Sequence, residues 1–250
     1  MSVTYQICRA LRLFKGKLRP YTTAIILAGG VGNRMKTADG VTKQMLLLDG
    51  IPVLVRSVMA FDASEYIDEI VVVTRKEERE TVLSLMAQYG IKKFSKAVEG
   101  GSVRSESARL GLESVSDKTK FVAIHDAARC LITPAMIADV TAAAYANRAA
   151  TAGTASVDTL KRIDKNGYVT ETLDRSVVYK AQTPQIFEIN LYRAAVYSAK
   201  DGDGCTDDNM LVEALGQAVK MVDVGEENLK ITTPLDMDIA SAVLKRRAGS

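Results

Sequence analysis

The feature that most narrows what this chain can fold into is a recurring one. Short apolar runs rich in β-branched residues each lead straight into a glycine-rich or polar turn. "TTAIILA" begins at Thr22, "DEIVVVT" covers 68–74, and "FVAIHDAAR" begins at Phe121. Continuous apolar runs of this kind suit strands buried on both faces, which is the condition of strands in a parallel sheet. Helical patterns fill the gaps: "PVLVRSVMAF" with Pro52 suited to a first turn, then 77–89. The stretch "SVRSESARLGLESV" reads as a helix from the spacing of Val103, Leu110 and Val115, and "PAMIADVTAAAYANR" opens a helix at Pro134. A short strand is expected at 94–98. Alternation at these intervals predicts right-handed βαβ units in one Rossmann-like three-layer α/β domain with a mostly parallel sheet. Polar residues and glycines cluster just after the strand ends, at 29–34, 100–107 and 125–129. In open α/β sheets that carboxyl edge is where ligands bind.

Between about 154 and 183 the pattern changes to strand-like alternation on both sides of Asn166-Gly167, a strong hairpin signal. A hairpin leaving a parallel sheet has few local reasons to exist, whereas an arm reaching a second subunit has one. The chain then returns to α/β with helices in "NLYRAAVYSA" and "DDNMLVEALG", a strand in "AVKMVDV", and a last helix from 234 to about 245. Residues 23–250 are thus expected to form one domain carrying a protruding β-hairpin arm.

Charge divides the chain unevenly. Residues 1–22 hold five basic residues and no acidic one, leaving 28 Lys+Arg against 30 Asp+Glu in the body. Such a body is not a nucleic-acid binder by charge. In the leader, Ile7, Leu11, Phe14 and Leu18 form one stripe of a basic amphipathic helix. It suits a helix laid on the domain, with contact to a membrane surface as the second reading. No apolar run approaches the roughly 20 residues of a membrane span, so stable insertion is not expected. Cys8, Cys130 and Cys205 have no paired spacing, which disfavours a disulfide framework or a zinc site and suits a reducing cytoplasm.

The turn "IILAGGVGNRM" after the first strand resembles a phosphate cradle but fits neither standard one. The dinucleotide fingerprint needs a third glycine where Met35 stands, and the P-loop needs a terminal Gly-Lys-Ser/Thr. What remains is "AGG", a spacer, Gly32, Arg34, and Lys43 nine positions on. Backbone N–H groups in such a turn can face an anion, Arg34 can grip phosphate with two donors, and Lys43 adds a point charge. Read alone, the segment is either that or a tight turn with two solvated cations.

At this point the chain resembles the sugar-phosphate nucleotidyltransferases, through "LAGGVGNRM…KQMLLLDGIPVL". The ordered set "EGGSVRSES", "HDAARC", "VDTLKR", "ETLDRS", "AQTPQIF", "TDDNMLVEALG" and "NLKITTP" is similar to the 2-C-methyl-D-erythritol 4-phosphate cytidylyltransferase family. The likeness covers about 22–243 and implies CTP plus methylerythritol phosphate giving the CDP-linked product and pyrophosphate. It implies that Arg34 and Lys43 stabilise the triphosphate and transition state, and that Lys230 positions the attacking phosphate. Ala28, Gly29, Gly30 and Gly32 would surround the CTP phosphates. Gly100, Gly101 and Ser107 would read the pyrimidine, while Asp126 and Ala127 hold the ribose.

Thr159, Arg175, Thr183 and Thr206 match positions that bind the sugar phosphate, together with Asp126. The resemblance further implies a homodimer with exchanged arms, so that Arg175 serves the neighbouring subunit's site. Mg²⁺ or another divalent cation would be held mainly through the CTP phosphates, with Asp126 near it. "TDD" also fits a helix N-cap followed by two acidic first-turn residues. His125, the only histidine, is expected to be structural, because an attacking phosphate is already ionised. Arg129 suits either an ion pair with Asp126 or a phosphate. Cys130 stands where the family has proline, a change expected to loosen the turn or create a reactive thiol.

Two rival readings remain at this level. A ribitol-5-phosphate cytidylyltransferase shares "LAGG" and "KQ", but "VDTLKRID" and "LDRSVVYKAQTPQ" look more like the methylerythritol enzyme. A non-catalytic nucleotide-binding member would lack the catalytic cations, and Arg34, Lys43, Arg175 and Lys230 are all present.

Overall fold

The computed structural model describes residues 19–30, 42–199 and 205–249. The leader up to residue 18, and Gly32 and Arg34 in the first turn, lie outside the described residues.

Seven strands form the central sheet in the order β11-β7-β10-β6-β1-β4-β5. They are β1 (Thr22–Leu27), β4 (Glu69–Thr74), β5 (Phe94–Glu99), β6 (Phe121–Asp126), β7 (Ala149–Ala155), β10 (Tyr179–Glu188) and β11 (Lys220–Asp223). Pairing is parallel at β1–β4, β1–β6, β4–β5 and β7–β11, and antiparallel only where β10 sits between β6 and β7. Every residue of β4 and β6 is buried, as continuous apolar runs require. The mostly parallel α/β sheet is therefore the expected one.

Successive residues of each strand face opposite layers. Ala24, Ile26, Ile70, Val72 and Ala123 pack on one face with α1 (Val53–Ala63), α2 (Arg79–Gln88) and α4 (Pro134–Asn147). Ile25, Val73, Val122 and Ile124 pack on the other with α3 (Arg104–Glu113), α5 (Ile189–Ser198) and α6 (Asp208–Ala214). A small third cluster joins α7 (Pro234–Ala248) to Leu48, Val53, Cys130, Leu131 and Ile231. Caps set where these helices begin: Thr133 accepts from Met136 N before Pro134, and Thr233 forms a capping box with Asp236. Arg19 grips Asp68 with two donors at 2.6 and 2.7 Å, fixing the chain as it enters β1.

Three local readings change. The buried face of α3 is Ser107, Ala108, Gly111 and Leu112; Val103 is the exposed N-cap and Val115 lies past the helix end. Small residues let α3 press onto the sheet, a face that bulky apolar spacing does not reveal. Two strands, β7 ("AATAGTA") and β10, lack the β-branched density or alternation that would announce them. A two-residue ladder between β2 (Leu47–Leu48) and β3 (Ile51–Pro52) makes Pro52 the N-cap of α1 rather than part of its first turn.

The arm leaves the sheet after β7 and returns at β10. It carries β8 (Lys161–Ile163) and β9 (Val169–Thr172), which pair with each other and are exposed throughout. At its tip Gly167 N donates to Asp164 O at 3.1 Å, and Gly167 alone takes positive φ, at 88°. The turn is therefore longer than a two-residue Asn-Gly loop, and resembles a type I turn closed by a left-handed glycine.

A Cβ on Gly111 would lie 2.5 Å from Ile25 Cγ2 and 2.9 Å from Val73 Cγ2. Gly111→Ala is expected to lower stability by about 1–3 kcal/mol, because overpacking outweighs the up to about 1 kcal/mol of helix propensity gained. Urea unfolding reads the change as a lower midpoint; a raised midpoint would show that α3 moves off the sheet freely.

Candidate active site

β1, β4, β5 and β6 end at one edge, where their connections open outward. The first connection is held by Gln44, buried in the short turn after Thr42: its Nε2 donates to Ala28 O and, at 3.0 Å, to Gly30 O. Lys43 Nζ donates to Ile231 O at 3.2 Å. Ala127 N bonds Leu27 O at 3.0 Å, and Ser57 Oγ donates to Ala127 O at 2.7 Å. A Cβ on Gly100 would stand 2.8 Å from Ser107 Oγ and 3.2 Å from Val73 Cγ1, so a side chain here would displace Ser107. Next to it, Gly101 N donates to Ser107 Oγ at 3.1 Å, so Ser107 shapes this loop.

Asp126 ends β6 with its side chain 12% exposed. Its Oδ2 accepts from Lys230 Nζ at 2.6 Å and its Oδ1 from Arg104 Nε at 3.3 Å. Burial, the largest influence, pushes this carboxyl up; Arg104 and Lys230 outweigh it and hold the group well below the usual carboxylate range. Arg104 NH1 also donates to Asp208 Oδ2 at 2.6 Å. Burial lowers the Arg104 guanidinium, but Asp208 and Asp126 more than reverse this, so its charge is permanent.

Two cavities meet at these side chains. The first, about 250 Å³, is lined by Ala28, Gly29, Gly30, Lys43, Gln44, Gly101, Ser107 and Ala127, among others. The second, about 110 Å³, is lined by Arg129, Gln182, Thr183, Gln185, Thr206 and Asp207, with Ala181. Arg104, Asp126 and Lys230 line both. The second cavity lies where β10 departs from regular pairing: its register against β7 slips between Ala181 and Gln185. Gln182 and Thr183 lie within that stretch and line the cavity. Thr183 Oγ1 accepts from Asp126 N at 3.1 Å and bonds His125 Nδ1 at 3.0 Å.

Most residues singled out from the sequence therefore converge at one edge. Gly100 borders the first cavity without lining it, and Gly32 and Arg34 lie outside the described residues. Thr159 and Arg175 are on the exposed arm and line neither cavity; Arg175 NH1 donates to Val157 O at 3.1 Å. Arg104, Gln44, Gln182, Gln185 and Asp207 were not singled out as site residues from the sequence, although all five lie within motifs quoted for other residues. The cap of α6 shifts by one place: Asp207, not Thr206, accepts from Met210 N. Arg129 makes no direct pair with Asp126; its NH1 donates to Asn228 O at 2.9 Å.

By its position Cys130 does not suit the reactive thiol expected. It is buried against Leu131 and Ile231, and burial pushes its thiol up to about 11, leaving it protonated at neutral pH. Among the described residues no group of three or more His, Cys, Asp or Glu side chains is arranged to hold a metal.

His125 is fully buried, stacked obliquely on Phe61 with ring centroids 4.8 Å apart. Arg129 O, 3.3 Å from Nε2, can only accept, so the neutral ring carries its proton on Nε2, and Nδ1 accepts from the Thr183 hydroxyl, whose oxygen accepts from Asp126 N. Burial lowers the His125 pKa to about 3. An unfolded histidine protonates near 6.5. Below that pH the unfolded chain binds the extra proton, and stability falls as pH drops toward 3. Between pH 7.5 and 5.5 the expected loss from this group is about 1.4 kcal/mol. Urea titrations of the native chain and of His125→Gln at both pH values check it. The variant should lack that part of the drop; identical drops would assign the pH dependence to other groups.

Comparison with known proteins places these features in a family. The model of the family IspD, 2-C-methyl-D-erythritol 4-phosphate cytidylyltransferase, matches residues 22–246. The protein of that name from Lachnospira eligens is 40% identical over 227 residues, covering 89% of this chain and 99% of its own length. The one from Syntrophus aciditrophicus is 37% identical, covering 93% and 99%. The crystal structure of 4-diphosphocytidyl-2C-methyl-D-erythritol synthase from Anaerococcus prevotii superposes with a TM-score of 0.80 at 30% identity, covering 90% of this chain and 96% of that one.

Proposed function

Because this chain belongs to the 2-C-methyl-D-erythritol 4-phosphate cytidylyltransferase family, we propose that the two joined cavities are its two substrate sites. The reaction itself is the family's: CMP passes from CTP to 2-C-methyl-D-erythritol 4-phosphate, giving 4-diphosphocytidyl-2-C-methyl-D-erythritol and pyrophosphate. In that step a sugar-phosphate oxygen bonds the α-phosphorus while the bond to the β-phosphate oxygen breaks, and pyrophosphate leaves with the electron pair. The family match does not favour the ribitol phosphate alternative.

The observation that carries the assignment is the shared seam. CTP would lie in the first cavity, its phosphates along Ala28, Gly29 and Gly30 and toward Lys43 and Arg34. Its base would face Gly100, Gly101 and Ser107, and its ribose Asp126 and Ala127. The sugar phosphate would occupy the second cavity beside Thr183 and Thr206. Lys230 lines both, so one ammonium reaches the attacking phosphate and the α-phosphate together. No general base is needed, which agrees with a buried neutral His125. What the protein supplies is approach and charge: it holds two anions together and neutralises the charge that builds up between them.

We propose Mg²⁺ as the accompanying cation. Magnesium is usually held by one or two carboxylates plus substrate phosphates, and Asp126 is a single ionised carboxylate facing the first cavity. Such an ion would lower the repulsion between the phosphates. Chelation with EDTA should abolish pyrophosphate release and added Mg²⁺ restore it.

We also propose a homodimer joined through the arm, in which Arg175 and Thr159 complete the partner's second cavity. The arm's own chemistry supports this. A two-stranded ribbon is marginal by itself in water, yet β8 and β9 are exposed throughout and Ile163, Tyr168, Val169 and Val177 are each at least 59% exposed. The three unpaired-in-spacing cysteines, of which Cys130 and Cys205 are free thiols, support a cytoplasmic setting.

Lys43→Ala and Lys230→Ala are each expected to lower kcat with CTP and methylerythritol phosphate by about 10²–10³-fold, the scale of losing one aimed charge. Unchanged turnover in either would remove that residue from the site. The exchanged arm has its own check. Co-expressed Arg175→Ala and Lys230→Ala chains, each inactive alone, should regain about a quarter of native activity, since mixed dimers form half the population and carry one intact site each. No recovery would place Arg175 in its own subunit's site.

A further inference from the structure

Arg104 is held at both ends. One edge reaches Asp126 at the seam, while NH1 lies 2.6 Å from Asp208 Oδ2. Asp208 is itself 1% exposed, and its other oxygen accepts from Tyr192 OH at 2.6 Å. Tyr192 is wholly buried on α5, stacked against Phe187 with ring centroids 5.1 Å apart. The backbone of Asp208 is clamped too: its N–H donates to Gln185 Oε1 at 2.9 Å, and Gln185 Nε2 donates to Asp207 Oδ2 at 3.0 Å. Neither Tyr192 nor Asp208 lines either cavity.

A carboxylate this deep costs several kcal/mol to desolvate unless all its acceptors are used. Here they are used on one tyrosine and on one arginine that itself faces the seam. If Asp208 served only to hold α5 against α6, Tyr192 would suffice and a buried charge would be a costly choice. An arginine in an open cleft, by contrast, loses much rotamer freedom when it is fixed. Its planar fork can bridge two carboxylates only if both stay put.

We propose that Asp208 and Tyr192 are positioning residues, which anchor one edge of Arg104 from the protein interior so that its other edge stays on Asp126 where the two substrates meet. The inference rests on the assignment of the two cavities to CTP and the sugar phosphate. Asp208 fixes the arginine and keeps Asp126 from capturing it entirely. Tyr192 fixes Asp208: burial and the neighbouring carboxylate push its phenol well above its ordinary pKa, so it remains a donor. Arg104, not its anchors, faces bound phosphate.

A double-mutant cycle tests this on the full chain. Asp208→Asn keeps the shape and removes the charge, and should lower kcat/KM by about 10-fold or more, the scale of a charge-assisted hydrogen bond. Tyr192→Phe removes one hydroxyl and should lower it by about 3-fold or more, with the fold intact. In an Arg104→Ala background both substitutions should change kcat/KM less than about 2-fold, and the division of loss between kcat and KM should match that of Arg104→Ala alone. Full-size losses in the Arg104→Ala background would overturn the inference and make the pair merely structural, as would native kcat/KM in both single variants. Lys230→Ala run beside them separates the premise: if it keeps native turnover, the seam is not the reaction site.

Discussion

The structure turns on one carboxylate. Asp126 sits at the end of a wholly buried strand, and it stays ionised there only because Arg104 and Lys230 outweigh the cost of burial. Pairs of this kind add little net stability, since desolvation consumes most of their attraction. Their value is positional. A strand end, the first turn of α3 and the segment before α7 are drawn to one point from three distant parts of the chain. That point becomes the seam between two cavities, and every charge that a pair of phosphates would meet is referred to it.

The sheet makes this possible by being parallel where it needs to be and antiparallel in one place. Parallel β1, β4, β5 and β6 bring four strand ends to one edge, which is enough to build the first cavity from backbone and small side chains. β10 runs against them between β6 and β7, so its bulge falls beside the end of β6 and brings Thr183 onto Asp126 N. One reversed strand thus supplies the wall of the second cavity. Gly111 belongs to the same construction: α3 can carry Arg104 and Ser107 inward only because no side chain at that position holds it off the sheet.

How much of this could be read from residues follows the same division. Strands with continuous β-branched runs were legible because burial on both faces leaves no other pattern, and β1, β4 and β6 lie where those runs stand. The hairpin was legible from Asn166-Gly167, although Asp164 rather than the Asn-Gly pair closes its turn. β7 and β10 were not: one is alanine, glycine and threonine, and the other is half arm and half sheet. The first cavity was marked by local motifs, where glycines and a cation sit close together in sequence. Arg104, Gln185, Asp207 and the anchors of Arg104 were missed because their meaning is tertiary. An arginine inside a helix motif reads as a solvated face until β6 and α6 are folded on either side of it. Cys130 misled for the same reason: its neighbours in space are apolar, which its neighbours in sequence do not show.

The two halves of the site are unequal in how the chain holds them. The first cavity is built on core elements: Gln44 ties down Ala28 and Gly30, Ser57 ties down Ala127, and Ser107 ties down Gly101. A nucleotide there would meet groups already in place. The second cavity has Thr183 and Gln185 in its lining, but among the described residues nothing brings Arg175 or Thr159 to it. The arm that carries them is exposed, with apolar side chains set among charged ones, and its two strands β8 and β9 pair with each other. If the proposed assignment holds, the two halves would divide the labour: the core would fix the phosphorus to be attacked, and an arm from a partner would help select what attacks it. On that reading substrate choice would depend on the part of the chain least held by the sheet, where sequence could change without disturbing Asp126.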